Sequence, residues 1–443
     1  LKLQHGSSIR RLAMLLVCLL NTLTTFLLAL IPAAALNPNG PARNGKATLP
    51  MWTNPCQGYQ KVVSMSDVVT PEIDGNGARA AVDVSHMPQH GMRDAMWNRS
   101  AMLHPIFWED LARQHSLHVD GKPTQPTSGH THPEASNFEA ASLRERMRFD
   151  GYGELTPEQW QAGPANGGEI ESTEDVRRLA SLVNELVTQG LPAQFLLCYD
   201  EAWRVICSVS AALSPIFNLQ QIHDFFVFHV PPGTPGWPVH RDRTGDNAKL
   251  GFTEDGLPLY TTVWVALTDA LPPQSGMYII PAYADPDYRD TSSLGDADHA
   301  DILVKHHQDI RAIPATRGTA LFWSHRALHW GSISSPAAPE PRIALTWAMA
   351  DPEFEKSLLR VEGSDATTPC FEARLALIAC TLVGYHHSAQ VPDGILLSVL
   401  SMLSEYAVHL SDAALAPANS ENFQRNLVSI GLEAAKLDRD EGQ

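Results

Sequence analysis

Six short runs of apolar, β-branched and aromatic residues recur through the middle of this chain, at Asp224–Val230, Thr261–Leu267, Met277–Pro281, Ile310–Ala315, Thr319–Trp323 and Arg342–Ala350. Gly/Pro-rich turns separate them, the pattern of strands that pair antiparallel and bury a shared face. The series predicts a mainly β core, an antiparallel barrel or sandwich, with flanking helices packed on one side. The flanks show a helical period. Val176, Leu179, Leu182, Val183 and Leu186 recur between Ser172, read as an N-cap with Asp175 three residues on, and Gly190, which ends the run. Further helices are expected over Ile106–His115, Asp200–Ala212, Ala373–His386, Ile395–Leu410 and Phe423–Lys436. Ser401, Ser404 and Glu405 mark Ile395–Leu410 as a buried helix rather than a membrane span.

At 443 residues the chain exceeds an average domain, yet a decorated β-barrel enzyme reaches this length around one core. One catalytic domain with extensions is therefore expected. Lys plus Arg total 32 against 49 Asp plus Glu, and the net charge of −17 argues against a nucleic-acid partner, which needs a clustered basic surface. The charge is unevenly placed, because no acid precedes Asp67 while Lys2, Arg10, Arg11, Arg43, Lys46 and Lys61 do. Arg10 and Arg11 open a mostly apolar run, Leu12–Ile31, followed by Pro32, Ala33, Ala34 and Ala35, the small residues of a signal-peptidase site. Residues 1–36 are read as a signal or targeting segment, cleaved rather than spanning, since Asn21, Thr22, Thr24 and Thr25 interrupt the run. Membrane contact is expected only through this segment where it stays uncleaved. The acid-free stretch to Ser66 also suits an organellar transit peptide, so the expected destination is the secretory pathway or an organelle rather than the cytosol.

Six cysteines, at positions 18, 56, 198, 207, 370 and 380, include no C-x-x-C pair and no framework spacing. Cys198, Cys207 and Cys380 sit in apolar stretches and are read as buried thiols.

The chemistry concentrates in Trp237-Pro238-Val239-His240-Arg241-Asp242, which follows the first predicted strand and a Gly/Pro turn over 231–236. In extended backbone residues i and i+2 point the same way, so His240 and Asp242 can ligate one ion while Arg241 faces elsewhere. Alone, such an H-x-D pair reads more readily as a solvated turn. A third ligand, His329, lies at the end of a later strand, after enough chain for antiparallel crossings to bring the two strand ends together. Two histidines and a carboxylate on one face leave three adjacent coordination positions open, the set of non-haem ferrous oxygenases, although the same set accepts manganese or cobalt. Arg342 begins the next strand. A buried Arg is costly without an anion, and its planar fork suits the far carboxylate of a dicarboxylic acid chelating the metal, which makes 2-oxoglutarate the natural co-substrate.

With these residues in order, Arg148–Asp351 resembles the phytanoyl-CoA dioxygenase family of iron(II)/2-oxoglutarate-dependent oxygenases. Thr261–Asp269 through Ser275–Pro281 is similar to that family's strand, acidic turn and Gly-containing hairpin, and Gly318–Phe322 leading into Leu328–Ser332 to its strand carrying the distal His. The resemblance implies a double-stranded β-helix, a cupin-like jelly roll, with Fe(II) held by His240, Asp242 and His329 and 2-oxoglutarate paired to Arg342. It also implies the reaction, in which O2 oxidatively decarboxylates 2-oxoglutarate to succinate and CO2 while a hydroxyl is placed on a small-molecule or lipid-like substrate. Asp242 favours hydroxylation over halogenation, since related halogenases lack that carboxylate. Two details depart from the pattern. Ala282-Tyr283-Ala284 follows Pro281 where the family often has Gly-Ser-His, and Ala344 stands where a hydroxyl often helps hold the co-substrate.

The expected organisation is a targeting segment over 1–36, a partly irregular extension over 37–147, the dioxygenase jelly roll over 148–351 and a helical extension over 352–443. Two rivals stay open. A jelly-roll hydrolase or isomerase using another divalent ion has no need of Arg342, and a non-catalytic metal-binding domain keeps the fold without turnover. His307-Gln308-Asp309, a second H-x-D, lies too close to His329 for the required crossings and is read as off the site. His130 and His132 are read as solvated, His325 as a hydrogen-bonding histidine, and Trp237, Trp264 and Tyr278 as packing residues.

Overall fold

A computed structural model describes residues 99–119, 137–161, 172–243, 251–289, 302–360, 368–385 and 391–414. The segment read as targeting, residues 37–98 with Cys56, the His130/His132 pair and the helix expected over Phe423–Lys436 lie outside the described residues.

The described strands are β1 Tyr152–Leu155, β2 Gln220–Val230, β3 Tyr260–Ala266, β4 Met277–Ile280, β5 Arg311–Ile313, β6 Ala320–Ser324, β7 Leu328–Gly331 and β8 Arg342–Ala350. They form two antiparallel sheets, ordered β1-β6-β3-β8-β2 and β5-β4-β7. The helices are α1 Arg99–Met102, α2 Pro105–Ala112, α3 Asn137–Phe149, α4 Pro157–Gln161, α5 Ser172–Thr188, α6 Asp200–Phe217, α7 Phe371–Gly384 and α8 Asp393–Tyr406. None among the described residues is long and apolar enough to cross a membrane.

Strand alternation decides what each face of the larger sheet meets. On β3, Val263 and Val265 join a core shared with the helices, while Trp264 and Ala266 pack between the sheets against Met277 and Ile279 of β4 and Ile313 of β5. On β8, Ile343, Leu345, Trp347 and Met349 face the helical core, whereas Ala344 faces the smaller sheet. Because both faces are covered, these strands read as nearly continuous apolar runs. Burying each such aliphatic side chain contributes roughly 1.5–3 kcal/mol. The helical side of that core combines Trp108 of α2, Val176, Leu179, Leu182, Val183 and Leu186 of α5, and Leu375, Leu377 and Ile378 of α7. Arg374, fully buried in α7, ties this helix to the turn before α6 by donating to the Cys198 carbonyl at 2.8 Å, and also donates to the Pro369 carbonyl just ahead of α7 at 2.9 Å. Cys198 and Cys380 are buried free thiols, Cys207 is half-buried and Cys370 exposed.

Helices α1, α3 and α4 and strand β1 are absent from the sequence expectation, and α6, β2 and β7 differ from it in extent or place. Helix α6 runs past Ala212 and Pro215 to Phe217, since one proline removes a single backbone donor near a helix end. Asn218, in the left-handed conformation at φ 57°, closes that end by donating to the Ser214 carbonyl at 2.7 Å. Strand β1 carries Gly153 and Glu154, which weaken its strand signal, yet the glycine is required: a Cβ there would come within 2.5 Å of the Phe322 ring on the paired strand. His329 does not end the strand that begins near Gly318. It sits on β7, a separate short strand in the smaller sheet.

Candidate metal centre

The ligand loop is held by backbone pairing. His240 and His329 each donate their N–H to the other's carbonyl, at 3.0 and 3.1 Å, and His329 stands opposite Ile279 of β4. The two imidazoles therefore lie side by side, with ring centroids 4.3 Å apart. Gly236 permits the approach, because a Cβ there would meet the Gly331 carbonyl oxygen at 2.6 Å. Two residues past His240, Asp242 Oδ1 lies 3.3 Å from His240 Nε2 and 3.7 Å from His329 Nε2. These three form the one group of potential metal ligands found among the described residues, their ligand atoms within 4.8 Å of one another. Arg241 faces away, as the alternation required, and pairs with buried Asp285 at 2.5 and 2.9 Å.

Hydrogen bonds behind the ligands fix their chemistry. His240 Nδ1 lies 2.8 Å from the Pro238 carbonyl and His329 Nδ1 lies 3.0 Å from that of Ala327. A carbonyl only accepts, so each Nδ1 carries the proton and each Nε2 presents a lone pair toward Asp242. Burial pushes His329 down to about 4, which keeps it neutral at physiological pH despite the opposing pull of Asp242. Burial would raise Asp242, but in the acid range where it would titrate, a second proton on His329 or His240, together with the Thr262 hydroxyl, holds its carboxyl well below the usual carboxylate range. Its Oδ2 accepts from Thr262 Oγ1 at 2.6 Å and Trp323 Nε1 at 2.9 Å, leaving Oδ1 to face the histidines. Lone pairs thus converge with the imidazole protons turned away, and this donor set fits a divalent cation.

Arg342 lines the same cavity, of about 140 Å³, at 1% exposure. Burial pushes its guanidinium down to about 10. No described carboxylate pairs with it. Its Nε is buried without a partner, its Nη2 reaches only Ser275 Oγ at 3.4 Å, and its plane lies near the Phe228 and Trp264 rings, 5.5 and 5.7 Å from their centroids. Ala344 follows on the same face without a hydroxyl. Thr346 also lines the cavity, but its hydroxyl is committed to the Val263 carbonyl at 2.7 Å.

Trp237 and Trp264, read from sequence as packing residues, both line this cavity, Trp264 because alternation turns it to the same side of β3 as Thr262. Tyr278 packs as expected, stacking on Trp330 at 5.8 Å. Sequence reasoning missed Thr262 and Trp323 as supports of Asp242, and missed Asp224 and Tyr385 in the lining. A signal for Asp224 existed, a charge two and four residues before Phe226 and Phe228 on one face of an apolar strand. The decoys fall where expected. His307 lies in a surface turn with Nδ1 on the Val304 carbonyl, and buried His325 donates from Nδ1 to the Tyr260 carbonyl at 3.2 Å, burial pushing it down to about 3.

No family model matches the chain, and no curated protein matches it. Among solved structures the chain is similar to the non-haem alpha ketoglutarate-dependent epimerase SnoN from nogalamycin biosynthesis, at 17% identity over 48% of this chain and 80% of that one, with a TM-score of 0.34. It is similar to AviO1 from Streptomyces viridochromogenes Tue57 at 16% identity over 48% and 95%, with a TM-score of 0.34. It is also similar to EctD from S. alaskensis with 2-oxoglutarate and 5-hydroxyectoine, at 14% identity over 53% and 84%, with a TM-score of 0.36.

Proposed function

We propose that this chain is an iron(II)- and 2-oxoglutarate-dependent oxygenase of the phytanoyl-CoA dioxygenase type, hydroxylating a small-molecule or lipid-like substrate, with residues 148–351 as its catalytic jelly roll. The strand order supports the double-stranded β-helix reading. Strands β2, β3, β6 and β8 share one sheet, while β4, β5 and β7, with the His240 segment bridged to β7, oppose them across the inter-sheet core.

The observation that carries the proposal is Arg342, a buried guanidinium without a carboxylate partner among the described residues, opening onto the cavity that holds the ligand triad. A hydrolase or isomerase using the same triad has no use for it, and a dicarboxylic co-substrate answers it. His240, Asp242 and His329 would hold the iron, and Arg342 the far carboxylate of 2-oxoglutarate. Bound together, iron and 2-oxoglutarate supply the activation of oxygen, with release of succinate and CO2. The chain's own groups prepare for this. Asp242 brings the anionic ligand already ionised, Thr262 and Trp323 hold its second oxygen, and the Pro238 and Ala327 carbonyls keep the histidine protons off Nε2. The aromatic lining limits water in the cavity and strengthens the Arg342 interaction by lowering the local dielectric.

Anaerobic reconstitution with iron(II) tests this directly. Addition of 2-oxoglutarate should produce the visible metal-to-ligand charge-transfer band of its chelate, and the band should vanish in His329→Ala. Bound iron with no band would move the assignment to the hydrolase, isomerase or binding-domain readings.

A further inference from the structure

The cavity holds a second charged group that the triad and Arg342 leave unused. Asp224 lines it beside Phe226 and Phe228, one face of β2. The strand is built irregularly at this point. Gln221 pairs with Met349 and Phe225 with Trp347, so β2 carries two more residues than β8 between these pairs, and His223 inside the bulge takes the left-handed conformation at φ 61°. Bulges and left-handed non-glycine residues mark irregular backbone that a fold retains at functional sites, here immediately before Asp224. No described residue hydrogen-bonds to or ion-pairs with its carboxylate. The other charges of the cavity are committed: Asp242 to the ligand set, and Arg243 to Glu355, with its guanidinium 4.7 Å from the Tyr260 ring centroid.

We propose that Asp224 selects the substrate of this cavity, and that the substrate carries a protonated amine. The inference rests on the oxygenase reading for what the cavity does. A dication and a dicarboxylate co-substrate balance each other, Asp242 balances Arg342, and Arg243 balances Glu355, which leaves Asp224 as one uncompensated carboxylate in an apolar, aromatic chamber. Its complement is a single positive charge. Phe226 and Tyr385, which line the same cavity, supply the aromatic faces on which an ammonium group is favoured. Burial pushes Asp224 up to about 6, with nearby Arg243 pulling the other way, so a cation would relieve a cost the fold already carries. A neutral hydroxyl donor would satisfy one lone pair and leave the charge.

Three probes of equal chain length separate these cases: n-octylammonium, n-octanol and octanoate. Each is titrated into the iron(II)- and 2-oxoglutarate-loaded protein without oxygen, and again into metal-free protein, with binding read from the fluorescence of tryptophans in the lining, Trp237, Trp264, Trp323, Trp330 and Trp347. The ammonium should bind about tenfold or more tightly than the alcohol in both forms, the effect of one charge-assisted contact, and octanoate most weakly in the loaded protein, where 2-oxoglutarate occupies Arg342. Asp224→Asn should bring the ammonium to the level of the alcohol while the alcohol's own affinity stays put. Equal or inverted ranking in the unsubstituted protein overturns the proposal, as does ammonium binding that survives Asp224→Asn. Failure of the oxygenase reading is distinguishable, since it removes the charge-transfer band and leaves the amine ranking in metal-free protein intact.

Discussion

Replacing Arg342 with methionine should have opposite effects on the free and the co-substrate-bound protein. The guanidinium is 1% exposed and burial lowers it from its ordinary 12.5 to about 10. At about 1.4 kcal/mol per pKa unit that lowering corresponds to roughly 3 kcal/mol. The sign follows from linkage. The unfolded chain holds this proton more tightly than the folded one, so the buried charge opposes folding at every pH below about 10, and the penalty fades only as pH rises through that range toward 12.5. Contacts with the Phe228 and Trp264 rings return on the order of 1 kcal/mol. Methionine has similar length, fills irregular space and carries no charge. Arg342→Met should therefore leave the ligand-free fold unchanged or stabilise it by about 1–3 kcal/mol. In metal-loaded wild type, 2-oxoglutarate at about a hundred times its Kd should add roughly 2.7 kcal/mol, and the variant should lose that increment. Urea unfolding with and without co-substrate reads both quantities. A variant that loses about 3–5 kcal/mol without ligand would refute the reasoning, because a loss of that size is what breaking a satisfied buried ion pair produces.

Other substitutions test the remaining roles. Asp242→Ala should abolish turnover by removing the anionic ligand, and His307→Ala should leave iron stoichiometry at the wild-type value; metal analysis of both proteins checks the assignment of the two H-x-D pairs. Thr262→Val and Trp323→Phe each remove one donor to Asp242 Oδ2 and should weaken metal binding by about 10- to 100-fold in chelator competition, with folding little affected. Their double variant should cost more than the sum, since in each single variant the remaining donor still satisfies the same oxygen. Acid should destabilise the metal-free fold from about pH 6.5 downward. Burial lowers His223 to about 4 and His325 to about 3, so the unfolded chain takes up these protons first and the stability each contributes is lost as pH falls from 6.5 through the folded values. Each shift corresponds to on the order of 3 kcal/mol or more. His325→Phe should flatten the pH dependence of the urea midpoint, and an unchanged slope would show that this histidine does not set it.

Two of the three candidate ligands were legible because their arrangement is local. His240 and Asp242 point together through the two-residue repeat of extended chain, and that rule holds whatever the strands do elsewhere. Arg342 was legible because it opens an apolar run in which a lone cation stands out. Thr262 and Trp323 were not, although both lie in predicted strands. They meet at Asp242 only because β3 and β6 pair with Thr262 opposite Trp323, and a slip of one residue would send one of them to the helical face. Pairing register is a property of two distant segments, and neither segment alone encodes it. β7 escaped for a related reason: Leu328–Gly331 mixes a histidine and a glycine into its four residues and shows no β-branched run, and only pairing with β4 and the His240 bridge makes it a strand.

Asp224 shows how a functional irregularity hides inside a regular pattern. An insertion of one residue in β2 would have reversed the facing of everything beyond it and left a visible break in the alternation. The bulge instead holds two extra residues, so parity survives: Ile222 lies on the same side as Phe226 and Phe228, while Phe225 and Val227 continue to face the helical core. From sequence, Asp224 therefore marks where an apolar strand begins. In the fold the strand has already begun at Gln220, and the pairing lapses around Asp224, between Gln221 and Phe225. Ladder hydrogen bonds are forgone across that gap, and His223 is held in a conformation unfavourable for a residue with a Cβ. A surface-facing Asp would gain nothing from either concession. A carboxylate carried into an aromatic chamber opposite a ligand triad gains a place from which to bind substrate, and that is the physical reason to look for the substrate's charge there first.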